Sequence, residues 1–297
     1  MATDGPWTHD QILVNGVRLH YVEAGEKDAP LVVLLHGFPE FWYSWRAQIP
    51  ALADAGFRVV APDMRGYNES EKPHGVSSYR SEELVGDVAG LVRELGEEQA
   101  HVVGHDWGGI VAWQTAIRHP EIVDRLAVLN APHPGAYRRE LQRNTDQLRR
   151  SWYALFFQLP WLPERLLGAR NCAVLADLPD SATNPEAFTE TDVRRYREAA
   201  SQPGALRSAL NYYRAAFREN LRTELRALVG GERPDQSVRA PTLLLWGEQD
   251  PALCVELTEE LAKWVPDVRV ERLPDASHWV QNDAPDRVNE ALVEFLR

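Results

Sequence analysis

The sequence predicts an α/β fold in which a mostly parallel, doubly wound sheet carries a helical segment inserted ahead of its last two strands. Three observations predict it. Short runs rich in Val, Leu and Ile recur along the chain, several almost continuously apolar, as strands covered on both faces require. Between them lie segments whose apolar residues return every three or four positions, so strand and helix alternate. One stretch, from about Pro134 to Pro234, breaks that alternation.

Taken in order, strands are expected over Gln11–Val14, Val17–Glu23, Leu31–Leu35, Arg58–Ala61, Ala100–Val103, Arg125–Leu129, Thr242–Trp246 and Val268–Arg272. The first long helix should run from Ser81 to Leu95, with Leu84, Val88, Leu91 and Leu95 on one face. Acids occupy its first turn and Gly96 follows its end. A second is expected over Gly108–His119, stopped by Pro120, a third over Glu256–Trp264 and a last over Ala284–Leu296. The interrupting stretch shows no clear strand. It is rich in Arg and in aromatics, among them Trp152, Tyr153, Phe157, Trp161, Tyr196, Tyr212 and Tyr213, and prolines cut it into short helices. We therefore expect a core of residues 1–134 and 235–297 with a helical lid over 135–234, placed where ligands bind in such sheets. Gly230, Gly231 and Pro234 read as the return hinge.

Composition narrows the function. The 297 residues are 44% hydrophobic and 26% charged, with a formal net charge of −12. Such acidity argues against a nucleic-acid partner, because neutralising phosphates requires an excess of Lys and Arg. Cys172 and Cys254 are the only cysteines, too few for a disulfide framework and without zinc-ligand spacing. No signal peptide is legible at the N-terminus, and the apolar runs are too short to cross a bilayer. The sequence points to a soluble, cytoplasmic protein with no membrane partner.

The chemistry concentrates in Gly104-His105-Asp106-Trp107-Gly108. A strand enters a sharp turn with glycine on both sides, and a helix leaves it, the pattern that exposes one side chain as a nucleophile. The usual residue there is Ser; here it is Asp106. The plain alternative is that Asp106 only caps the following helix. Two later loops weigh against that. Asp250 follows the Thr242–Trp246 strand and His278 follows the Val268–Arg272 strand, which is the order nucleophile, acid, histidine of an α/β-hydrolase triad. Glu248 is the second choice for the acid. Asn130, after the Arg125–Leu129 strand, cannot balance an imidazolium. His36 and His105 are expected to make structural hydrogen bonds, and His133 to do nothing chemical. The loop at His36-Gly37-Phe38-Pro39-Glu40 should supply one backbone donor to an oxyanion hole, at Phe38, and Trp107 the other.

These segments, together with Trp45 and Asp63-Met64-Arg65-Gly66-Tyr67, resemble soluble epoxide hydrolases of the α/β-hydrolase superfamily over essentially the full chain. The resemblance implies two lid tyrosines that donate protons to the epoxide oxygen, matched by Tyr153 and Tyr213, with Tyr212 an immediate rival to the latter. For any of them the plainer role is packing the lid.

A carboxylate suits a saturated carbon, being ionised at neutral pH and needing no base to activate it. The resulting ester on Asp106 would be hydrolysed by water activated by His278. The partners implied are a small-molecule epoxide and water, with no metal and no organic cofactor. A haloalkane dehalogenase is the nearest alternative, sharing the nucleophile, but no second halide donor is evident in the loop after His36. Arginines just after the nucleophile, needed by a fluoroacetate dehalogenase, are missing at Trp107 and Ile110. A serine esterase is excluded by Asp106, and a non-catalytic receptor is disfavoured by the complete triad. The oligomeric state stays open, a homodimer included.

Overall fold

A computed structural model describes residues 5–297; residues 1–4, at the head of the segment read as lacking a signal peptide, lie outside the described residues. All eight expected strands form: β1 (Thr8–Val14), β2 (Val17–Ala24), β3 (Leu31–Leu35), β4 (Arg58–Pro62), β5 (Ala100–His105), β6 (Val123–Leu129), β7 (Thr242–Gly247) and β8 (Val268–Leu273). They make one sheet in the order β1-β2-β4-β3-β5-β6-β7-β8. The β1–β2 and β2–β4 pairs are antiparallel and every later pair is parallel. β3, β4, β5 and β7 are buried throughout, which is why they read as continuous apolar runs rather than alternating ones.

Strand alternation divides the core in two. Leu31, Val33 and Leu35 of β3 join Val102, Leu244 and Trp246 on one face, under the helices Ser81–Glu94 and Trp107–Arg118. Val32 and Leu34 join Val103, Leu243 and Leu245 on the other, under Gln48–Asp54 and Pro285–Leu296. Burying one such leucine contributes about 1.5–3 kcal/mol, and both faces are filled.

The long helices expected over 81–95, 108–119 and 284–296 form within a residue or two of those bounds. The one expected over Glu256–Trp264 does not. Two short 3₁₀ turns, Val255–Thr258 and Leu261–Lys263, stand there instead, separated by Glu260 at φ 53°. That left-handed residue ends one turn and begins the next, while the spacing of Leu257, Leu261 and Val265 still buries all three.

Among the described residues no strand lies between β6 and β7; the chain there is helical, ending in the 24-residue helix Ala205–Leu228. Pro163 and Pro179 sit in the first turns of their helices, where a missing N–H costs nothing. The segment packs into both core clusters, through Ala209, Tyr212 and Ala215 on one face and Leu178, Phe188 and Tyr196 on the other. No described helix is long and apolar enough to cross a membrane.

Candidate active site

β5 delivers Asp106 to the carboxyl edge of the sheet. The residue holds φ 49° and ψ −118°, between an extended strand and the helix Trp107–Arg118, so its side chain stands clear of both. The neighbouring glycines are required: a Cβ at Gly108 would fall on the Leu35 carbonyl oxygen, and one at Gly104 on the Gly108 carbonyl. Asp106 makes no side-chain capping bond to its helix. Its Oδ1 instead accepts the Phe38 backbone N–H at 2.8 Å, and the Trp107 N–H also donates to the carboxylate. Both residues expected to line an oxyanion hole thus already donate to the Asp106 carboxylate.

The other oxygen, Oδ2, lies 3.6 Å from Nε2 of His278, whose Nδ1 is 2.6 Å from Asp250 Oδ2. Asp250 is fully buried and saturated. Its Oδ1 accepts the backbone N–H groups of Ala252 and Leu253, and its Oδ2 also accepts Asn130 Nδ2 at 2.9 Å. Burial alone would push Asp250 upward, but the His278 cation and these donors hold it below the usual carboxylate range. Burial likewise works against a charged His278. The Asp250 carboxylate, with Asp106 and Glu40 behind it, outweighs that and raises the ring to about 9. Desolvation raises Asp106, and the charges of His278 and His105 oppose the rise.

A second buried array lies behind Asp106. His105 Nδ1 meets Glu40 Oε2 at 2.7 Å, and its Nε2 lies 2.9 Å from the backbone oxygen of His278. Glu40 also accepts the Gly37 N–H and the Gln281 amide, which fixes the loop presenting Phe38. His36 ties Gly37 to Met64, as a structural histidine should. Glu248 is exposed and contributes only a backbone bond to Leu273, so it does not compete with Asp250. His133 is buried between Gly135 and Gln236, its pKa lowered by desolvation to about 4. Cys172 and Cys254 are buried free thiols.

The tyrosines of the inserted helical segment separate by environment. The Tyr212 hydroxyl donates to the Arg65 carbonyl at 2.8 Å and its ring is wholly buried against Tyr67 and Tyr79. That position anchors the helix Ala205–Leu228 to the Asp63–Tyr67 loop. Tyr213, one residue on, points elsewhere: its ring packs on Trp107 at 4.8 Å and Phe38 at 5.6 Å, and meets Tyr153 at 6.0 Å. Burial, and then the nearby Asp106 charge among other groups, raises both Tyr153 and Tyr213 above the ordinary phenol value. Phe38, Trp107, Tyr153 and Tyr213 therefore gather around Asp106 from four separate parts of the chain.

Asn130 was seen in the sequence only as a rejected acid. The structure gives it a different place, with its amide gripping both Asp250 and Gly247 from a residue at φ 38°. Among the described residues no group of three His, Cys, Asp or Glu could hold a metal ion.

This elbow, acid and histidine at one sheet edge are the frame of the α/β-hydrolase fold, and a family model of that description matches residues 30–285. The chain belongs to that family and, within it, to the epoxide hydrolases. It is 39% identical to Epoxide hydrolase 4 of Homo sapiens over 99% of this chain and 79% of that protein. It is 41% identical to the AB hydrolase superfamily protein YfhM of Bacillus subtilis over 95% of this chain and 96% of that protein. The crystal structure of a Bacillus megaterium epoxide hydrolase bound to an inhibitor superposes with a TM-score of 0.87 at 35% identity, covering 97% of this chain and 99% of that one.

Proposed function

We propose that this enzyme opens an epoxide to a vicinal diol in two steps, through an alkyl ester on Asp106. Oδ1 is engaged by the Phe38 N–H, so Oδ2 is the oxygen free to attack a saturated carbon from the rear. The C–O bond of the ring breaks as the C–Oδ2 bond forms. The departing oxygen takes a proton from Tyr153 or Tyr213, help of a kind worth about 10²–10⁴-fold.

The ester carbonyl is then Oδ1, already bonded by the Phe38 N–H, with the Trp107 N–H donating to the same carboxyl group. Water attacks Cγ and passes a proton to His278, and negative charge grows on Oδ1 where those donors await it. The Cγ–Oδ2 bond breaks, the diol leaves with Oδ2 protonated by His278, the water oxygen stays in the Asp106 carboxyl group, and the second water proton returns to the phenolate left at Tyr153 or Tyr213, restoring the carboxylate.

The observation that carries the epoxide rather than a halide is the Tyr153–Tyr213 pair: both phenols stay protonated at neutral pH, the two rings meet, and that of Tyr213 sits against Phe38 and Trp107. A halide would want N–H donors, and the Glu40 side chain in the loop after His36 is already committed to Gly37, His105 and Gln281. The helical segment over 135–234 serves as the lid that brings the tyrosines to the core, and the aromatic lining suits an apolar epoxide. Its buried free thiols fit a cytoplasmic setting.

The test is a paired assay of styrene oxide and a bromoalkane, with intact-mass spectrometry on Asp106→Ala and His278→Gln. Diol from the epoxide, no turnover by Asp106→Ala, and an ester adduct retained on His278→Gln are expected. Halide release without diol formation would move the chain to the dehalogenases.

A further inference from the structure

Two sides of the His278 main chain are held. The His105 ring grips its carbonyl from the side of the nucleophile. From the other side, Ser277 is held by a residue the catalytic scheme does not use. Asp283 closes the short helix Val280–Asp283 and is 9% exposed. Its Oδ2 accepts both the backbone N–H of Ser277 at 2.7 Å and the Ser277 hydroxyl at 2.6 Å. Its Oδ1 accepts the backbone N–H groups of Thr183 and Asn184, each at 3.0 Å. The Asn184 amide returns a bond to the Asp283 carbonyl, and Trp279 Nε1 donates to Ser181 Oγ at 2.8 Å.

One carboxylate thus spans two parts of the chain about a hundred residues apart. One arm holds the residue before the histidine, and the other holds the segment 183–184 within the helical insertion. The four donors are all N–H or O–H groups and none is a cation, so the site works only with a full acceptor pair. Helix capping alone would not call for this, since the bonds run away from the helix that Asp283 ends.

We infer that Asp283 is a positioning residue that ties the alignment of His278 to the seating of the inserted segment, so that ester hydrolysis depends on it and ester formation does not. The inference rests on the ester scheme above. The asymmetry follows from placement. Asp106 stands in the turn after β5, and Tyr153 and Tyr213 stand on the helices Trp152–Phe156 and Ala205–Leu228, whereas the bonds of Asp283 go to Ser277, Thr183 and Asn184. His278 alone among the reacting groups shares a loop with it.

The substitution Asp283→Asn keeps the shape but replaces one acceptor oxygen by an amide that faces two donors, so one arm fails whichever way the amide turns. Asn184→Ala weakens the clamp from the lid side without touching the histidine loop. Rapid-quench single turnover with intact-mass detection reads the two steps separately. We expect Asp283→Asn to form ester at the wild-type rate and to hydrolyse it roughly 10- to 100-fold more slowly, the range that a displacement of about 1 Å produces. Asn184→Ala should move the same way by less, and Asp283→Glu should recover part of the loss.

If both steps slow together in Asp283→Asn and Asn184→Ala, or neither changes, the inference is overturned. Adduct retained on His278→Gln but passing through Asp283→Asn at the wild-type rate overturns it while leaving the ester scheme standing. No adduct on either variant overturns the scheme and the inference with it.

Discussion

The charge on His278 should depend on the chemical state of Asp106. In the resting enzyme the ring carries a proton with a pKa of about 9, held by Asp250 at 2.6 Å and helped by Asp106 at 3.6 Å. A cation cannot serve as a base. Turning Asp106 into a neutral ester removes one of the three anions that raise the ring. At that 3.6 Å separation a unit charge is worth about 1.2 kcal/mol in water and about 4.6 kcal/mol at an effective dielectric of about 20. Proton binding by His278 should therefore weaken at least about sevenfold when Asp106 is neutralised, which frees the ring at the moment hydrolysis needs it.

Asp106→Asn imitates the neutral state. Titration of the His278 ring by NMR should give a midpoint near 9 in the parent enzyme and one lower by roughly one pH unit or more in the variant. Equal midpoints, or a parent ring already neutral at pH 7, would refute the argument. Stability should follow with a definite sign. A pKa raised from 6.5 to about 9 gives stabilisation that is fully present below pH 6.5 and lost as pH climbs through 9. The amount is on the order of 3 kcal/mol, so Tm should fall across that window, and His278→Gln should flatten the fall.

Three further substitutions test other parts of the framework. Tyr153→Phe and Tyr213→Phe should each slow ester formation, with the pair losing roughly 10²–10⁴-fold while hydrolysis of a preformed ester is unchanged; unaltered formation kinetics in the double variant would remove the tyrosines as acids. Asp87 forms a buried ion pair with Arg65, whose carbonyl anchors Tyr212. Asp87→Ala should cost about 3–5 kcal/mol in chemical denaturation, because it leaves the buried Arg65 cation with Glu83 at 3.7 Å in place of its close partner, and a loss below about 1 kcal/mol would show that the pair is not isolated from solvent.

The parts of the fold legible in the sequence are those governed by neighbours in the chain. β3, β4, β5 and β7 declared themselves because both of their faces are covered. The elbow declared itself because its glycines are demanded by backbone contacts within a few residues and to β3. The stretch at 256–264 misled for an instructive reason. Leu257, Leu261 and Val265 have helical spacing, yet the burial they serve is met by two turns on either side of a left-handed Glu260. Periodicity reports which residues face the core; it does not report how the backbone carries them there.

At the site, a similar boundary separates the groups proposed to react from the groups proposed to aim them. Asp106, Asp250 and His278 each follow a strand, so topology alone brings them to one edge. Asn130 and Asp283 act on partners 120 and about a hundred positions away, through contacts that no local pattern encodes. The resemblance favours Tyr213 with Tyr212 as its immediate rival, and helix geometry sends the two side chains different ways, since adjacent residues diverge by about 100° on a helix of 3.6 residues per turn. One hydroxyl reaches the Arg65 carbonyl, and the other ring reaches Trp107 and Phe38. The anchoring residue is thereby also the aiming one: with Tyr212 fixed to the core, the rotation of the whole helix is set, and Tyr213 has little choice but to face Asp106.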